Sequence, residues 1–338
     1  MTSESESWLT LTREDPIDPE LPIIDPHHHL WDYPGSRYLL DELLNDAGGG
    51  HNIVQTVFVE CLSMYRRGGP PALRPVGETE FVRGMAAMSA SGQYGPTRVA
   101  AGIVGFADLT LGREVEPVLA AHIEAGGGRF RGIRHAASWH ASDAIGNAHT
   151  HPPGGLLLDA AFRKGFALLE KHRLSFDAWI YHPQLAELAD LARAFPQTPI
   201  ILDHVGGLLG IGPYAGRREA VYEEWRRGID QVAASGNVVV KLGGLGMKLC
   251  GFGWHKKEKP PSSEALAEAM QPYFEYCIER FGAHRCMFES NFPVDKPSAS
   301  YTVLWNGFKR IAAPLSAAER AALFHDTAAR AYRLNPDD

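Results

Sequence analysis

Short apolar runs rich in β-branched residues take turns along the chain with stretches in which apolar residues return every three or four positions. A run of the first kind suits a strand buried on both faces, and a stretch of the second gives a helix one apolar stripe. Ile23 and Ile24 open the series, and strands are predicted next at residues 54–60, 99–106, 130–135, 174–181, 199–202, 238–242 and 286–289. Helices are predicted between them. Phe81, Met85 and Met88 share one helix face, as do Phe162, Phe166 and Leu169, and again Leu185, Leu188 and Leu191. Further helices are expected at 38–44, 115–125, 219–234, 264–281 (with Ser263 as N-cap) and 317–332. Glycine triplets at 48–50 and 126–128 stop two of them.

Eight strands, each followed by a helix, imply a parallel sheet, and eight such units suit a closed (β/α)8 TIM barrel. No GxGxxG turn follows a strand, which argues against an open dinucleotide-binding sheet. No Pro, Gly or Ser-rich linker divides the chain. The expected organisation is an N-terminal arm over residues 1–20, pinned by Trp8 and Leu9, and a single barrel domain over 21–338.

Composition narrows the partners. With 45% hydrophobic residues the 338-residue chain can bury a sizeable core. A formal charge of -7 and a pI near 6.1 argue against nucleic acid, since Lys256, Lys257 and Lys259 form the densest basic spot. No apolar run is long enough to span a membrane, and the acidic, serine-rich start is unlike a secretory signal. Cys61, Cys250, Cys277 and Cys286 lie far apart without CxxC spacing and read as reduced thiols of a cytoplasmic protein. What remains is a cytoplasmic protein acting on a small molecule, as a monomer or a homo-oligomer.

In such a barrel, sites form where strands end. His27 and His29 end the first predicted strand, on one face, with His28 on the other. Glu60 ends the second, Arg134 and His135 the fourth, and His182 follows the fifth; Asp203 and His204 follow the sixth. Lys241 lies on the seventh, and Ser290, Asn291 and Asp295 follow the eighth. Each has a plain structural explanation: Arg134 and Glu60 pairing inside the barrel, His182 capping a helix, Lys241 answering a nearby carboxylate, His149 and His151 decorating a loop. Their convergence on one rim favours chemistry. Trp139 and the 251–255 loop are read as packing rather than as an apolar wall of a pocket.

Three motifs together, Asp25-Pro26-His27-His28-His29-Leu30-Trp31-Asp32, Leu202-Asp203-His204-Val205-Gly206 and Phe288-Glu289-Ser290-Asn291-Phe292-Pro293, resemble the amidohydrolase superfamily. The nearest branch is the amidohydrolase-related group of sugar-acid and pyrone lactonases and some decarboxylases. The resemblance implies a barrel with a first-strand HxH pair, a sixth-strand histidine and an eighth-strand carboxylate, which carries over as His27, His29 and His204. The last position departs from the family's usual Ser-Asp-x-Pro, because Asn291 stands where the aspartate is expected. An amide cannot serve as a general base near neutral pH. With no lysine on the fourth strand, a two-metal centre is not expected. The resemblance leaves one divalent ion such as Zn, loosely held by His27 and His29 with His182 as third ligand, or no metal at all. The activity it implies is opening of a lactone or related ester of a small carboxylated substrate. Arg134 would orient the substrate, and His27, His29 and His204 would polarise the carbonyl. Asp295 would replace the missing base, with Glu60 in reserve. The alternatives are a nonoxidative decarboxylase of the same superfamily and a catalytically inactive barrel that binds a small molecule.

Overall fold

The computed structural model describes residues 3–335. Eight strands form one sheet in chain order, each parallel to the next: β1 Ile23–His28, β2 Ile53–Val59, β3 Arg98–Gly105, β4 Phe130–Ile133, β5 Ser175–Ala178, β6 Ile200–Leu202, β7 Val238–Leu242 and β8 Cys286–Phe288. A helix follows every strand, among them Val76–Ala90 after β2, Ala160–Lys171 after β4 and Arg218–Ala233 after β6. The chain forms the (β/α)8 TIM barrel its alternation predicts.

Period-two geometry divides the apolar residues between two cores. Ile24, Val57, Val59, Ala101, Val104, Ile201 and Met287 point inward, where Tyr332 and Leu334 from the end of the chain complete the packing. The alternate positions, Ile23, Phe58, Ile103, Phe176, Val240 and Phe288 among them, pack outward under the helices.

The seam between β8 and β1 is held by few bonds. One parallel bridge joins His28 to Phe292, with backbone bonds from His29 N to Phe292 O at 2.8 Å and from Asn291 N to His27 O at 3.0 Å. The fully buried Asp25 carboxylate fastens the rest. It accepts from Ser290 N at 3.0 Å, Ser290 Oγ at 2.5 Å, Tyr301 OH at 2.9 Å and His27 N at 3.3 Å. Burial outweighs these bonds and raises the Asp25 carboxyl to about 6.

Several elements differ from expectation. Tyr38 belongs to a two-stranded ribbon, Trp31–Tyr33 against Ser36–Tyr38, and the helix begins later, at Leu40–Ala47. Ser262 rather than Ser263 caps the helix Ser263–Phe281, accepting from Ala265 N at 3.3 Å. An unexpected helix, Tyr301–Ile311, follows β8; Thr302, Asn306, Lys309 and Arg310 recur along one face as a polar stripe, although all its residues but Thr302 and Arg310 are buried. The last predicted helix is interrupted by a wider turn over Ala322–Asp326. In the arm, the Trp8 indole donates to Lys257 O at 3.0 Å and Leu9 is buried. Among the described residues, no helix is long and apolar enough to cross a membrane.

Candidate active site

Where β1 ends, His27 turns into the barrel mouth, while His28 turns outward, its Nε2 2.8 Å from the Thr56 hydroxyl. The His27 ring centroid lies 4.9 Å from that of His29 and 4.5 Å from that of His204. His29 Nδ1 is 2.7 Å from the Val59 carbonyl oxygen, which places its proton on Nδ1 and leaves Nε2 a lone pair. His204 follows β6 with φ of +54°, and the β-branched Val205 beside it has φ of +47°. That strained turn is held by the Trp225 indole, which donates to Val205 O at 2.7 Å, and it points the His204 ring inward.

Beneath the imidazoles lies a buried array of charge. Glu289, next after β8, accepts through Oε1 from His204 N at 3.0 Å and Nδ1 at 2.6 Å, and its Oε2 sits 2.9 Å from His27 Nδ1. Burial alone would raise this carboxyl, but His204 and His27 outweigh it and hold it down at about 2. Asp203 is likewise drawn well below the ordinary carboxylate value, Lys241 and His27 prevailing over burial. The Lys241 ammonium lies 2.8 Å from Asp177 Oδ2 and 2.9 Å from Asp203 Oδ1. Burial works against that charge, yet Asp177 and Asp203 keep it firmly protonated. Burial lowers His27 and drives His29 well below the usual histidine value, so both are neutral near pH 7.

The loop after β7 makes room for this. An alanine Cβ at Gly243 would stand 2.4 Å from Glu289 Cγ, and one at Gly244 (φ +71°) would stand 2.5 Å from His204 Cβ. Gly243→Ala, whose Cβ also meets the Glu289 backbone oxygen at 2.4 Å, is therefore expected to lower kcat about 10²-fold and to lower the melting temperature as well, by displacing Glu289 side chain and backbone together. Steady-state kinetics alongside circular dichroism check both halves.

The structure brings His27, His29, His204, Arg134 and Glu60 together, and Arg134 makes the pair with Glu60 that was the plain structural reading of the sequence. Its Nε donates to Glu60 Oε1 at 2.7 Å and its Nη2 to Glu60 O at 2.5 Å, while Nη1 faces His27 Nε2 at 3.4 Å. The fork expected to clamp a substrate carboxylate is thus turned onto Glu60. His149, expected on a loop surface, reaches the same carboxylate, Nε2 to Oε2 at 2.9 Å. Burial notwithstanding, Arg134 and His149 hold Glu60 at about 2.

Asp295 is buried, its Oδ1 accepting from Asn291 Nδ2 at 2.9 Å and its Oδ2 from Gly246 N at 2.8 Å. Burial pushes its carboxyl up to about 7. Both oxygens are thus engaged by amide donors, and Asn291 serves as one of them. His182 lies elsewhere, Nδ1 accepting from Leu209 N at 3.3 Å and the ring edge-on to Tyr214. Among the described residues, the set whose donor atoms lie within 4.8 Å of one another is His27, His204 and Glu289. It shares only His27 with the His27, His29 and His182 set expected from the sequence. Two imidazoles and a carboxylate are a donor set for zinc, and the buried Glu289 Oε2 makes no well-formed hydrogen bond, its near neighbour at 2.9 Å being His27 Nδ1 of the same set, so these residues fit a single divalent ion. Phe252 and Trp254 stack at 4.5 Å, and Arg218 covers Phe252, so that loop packs as expected.

A barrel with paired histidines at the end of β1 and a histidine after β6 at one mouth is the architecture of the amidohydrolases; here the carboxylate that joins them after β8 is Glu289, two positions before the expected place that Asn291 fills. The chain belongs to that family: the amidohydrolase family model matches residues 24–334. Among its relatives is the protein y4mH of Sinorhizobium fredii, 34% identical over 337 residues, covering 93% of this chain and 99% of the relative. An L-fucono-1,5-lactonase of Burkholderia multivorans is 26% identical over 323 residues, covering 92% of this chain and 96% of the relative. A crystal structure of an amidohydrolase from Burkholderia multivorans with bound zinc superposes with a TM-score of 0.70 at 26% identity, covering 93% of this chain and 99% of that one.

Proposed function

We propose that this chain is a hydrolase that opens a lactone or related ester of a small molecule at the barrel mouth. The pairing of His204 with the ionised Glu289, beside His27 and His29, carries the reading. Glu289 Oε1 accepts from both the backbone N–H and Nδ1 of His204. The imidazole proton is thereby fixed on Nδ1, and Nε2 keeps its lone pair. A histidine held this way takes a proton from water as the water oxygen bonds to the acyl carbon. As the ring C–O bond breaks, the proton passes to the leaving alkoxide. Arg134 Nη1, 3.4 Å from His27 Nε2, places a fixed positive charge where an oxyanion develops. His27, His204 and Glu289 would hold a divalent ion; when bound it would take up the His204 Nε2 lone pair and supply in its place the charge that polarises the ester carbonyl and acidifies water.

The substrate is read as uncharged at its reacting end. Arg134 is committed to Glu60, and Lys241 to Asp177 and Asp203, so the carboxylated substrate expected from Arg134 loses its anchor. The similarity to a lactonase over more than nine-tenths of both chains supports lactone chemistry. A panel of neutral sugar lactones, carboxylated pyrone lactones and aromatic acids, with and without chelator, tests this. Acid release from neutral lactones is the expected result. Release of carbon dioxide from an aromatic acid, with no lactone opened, overturns the reading; turnover confined to carboxylated lactones overturns its substrate half.

A further inference from the structure

Below the three imidazoles, groups from three strands converge on one point. Asp177 Oδ2 on β5 is 2.8 Å from it, Asp203 Oδ1 after β6 is 2.9 Å, and His27 Nδ1 on β1 is 3.0 Å. All three residues are fully buried. The Tyr332 ring closes the space from beneath at 5.5 Å, its hydroxyl donating to Asp177 Oδ2 at 2.6 Å. Two carboxylate oxygens and an imidazole nitrogen around a shared centre are the donors from which divalent-ion sites are made. Here the centre holds the ammonium of Lys241, tethered to β7 and itself fully buried.

We propose that Lys241 is a resident cation, its ammonium filling a deep seat among Asp177, Asp203 and His27 and closing that seat to a metal ion. Two consequences follow from charge and space. The chain takes no more than one divalent ion, on the His27, His204 and Glu289 side. Asp203 and His27 are held in register by a charge that chelators cannot remove, so Lys241 acts as a positioning residue for the imidazoles above it. Neither consequence depends on which bond the enzyme hydrolyses.

Metal analysis and amine rescue test this directly. Wild-type protein dialysed against cobalt is expected to retain at most one equivalent per chain, and retention of two overturns the proposal. Lys241→Ala leaves two buried carboxylates unanswered, and its Tm is expected to fall by roughly 5–10 °C. Methylammonium chloride should raise that Tm by about 5 °C relative to tetramethylammonium chloride at equal ionic strength, since only the primary ammonium fits and donates. The variant should also gain one cobalt equivalent over wild type. A folded Lys241→Ala protein that gains neither cobalt nor amine-specific stability overturns the proposal. If the variant does not fold unaided, its refolding yield in methylammonium against tetramethylammonium decides instead: a higher yield in the primary amine supports the resident cation, and equal yields overturn it.

Discussion

Glu289→Gln is expected to lower turnover about 10²–10⁴-fold while the barrel still folds. Glutamine preserves the shape and keeps an oxygen able to accept from His204 N and Nδ1, now at 3.0 and 2.6 Å. What it removes is the negative charge that stabilises a protonated His204 and faces His27 Nδ1 at 2.9 Å. Asp295→Asn is the informative companion. Its two oxygens already serve Asn291 and Gly246, so its loss should be smaller than that of Glu289→Gln. Kinetics on both variants, with thermal melts to confirm folding, separate the candidates. Full turnover in Glu289→Gln would refute the assignment of the working carboxylate.

Arg134→Met is expected to destabilise the fold by about 3–5 kcal/mol, because it strands a carboxylate with no access to water. Glu60 keeps His149 but loses the guanidinium bonded to both its side chain and its carbonyl. Adding Glu60→Gln to Arg134→Met should recover much of that loss, a coupling that urea unfolding of the single and double variants measures. Acid provides an independent reading of the same pair. Glu60 is held at about 2, below its unfolded value of 4.5, so its contribution is fully present above pH 4.5 and is lost as pH falls toward 2. Urea midpoints across that window should fall less steeply in the double variant than in wild type.

Much of this site was within reach of the sequence, though not all of it was read. Alternation along each strand places the order of the barrel and its rim. The same count of two finds the working carboxylates: Met287 faces inward and Phe288 outward, so Glu289 returns to the interior. Ile201 and Leu202 turn Asp203 inward in the same way. The spacing of the family motif drew attention to Asn291, two positions beyond the carboxylate that meets the histidines. His149 carries no such signal, since it reaches Glu60 from the irregular segment between β4 and the helix at Ala160–Lys171. The Arg134 fork was recognisable as a rim group, but only the fold reveals that Glu60 takes two of its nitrogens. Sequence pattern locates a side chain on a face; the partner already bound to it depends on the neighbouring strand.

The way the barrel closes has a temporal side. His27 and His29 leave the ribosome well before Ser290, Phe292 and Tyr301, which lock Asp25 and the β1 edge. Until then the nascent sheet carries an unsatisfied edge at its first strand, a template for wrong pairing during synthesis. Glu289 arrives in that same late stretch, so a product cut short before it would carry the paired histidines with no carboxylate to orient His204. Competence for chemistry and closure of the ring are therefore acquired together, once that stretch has been made.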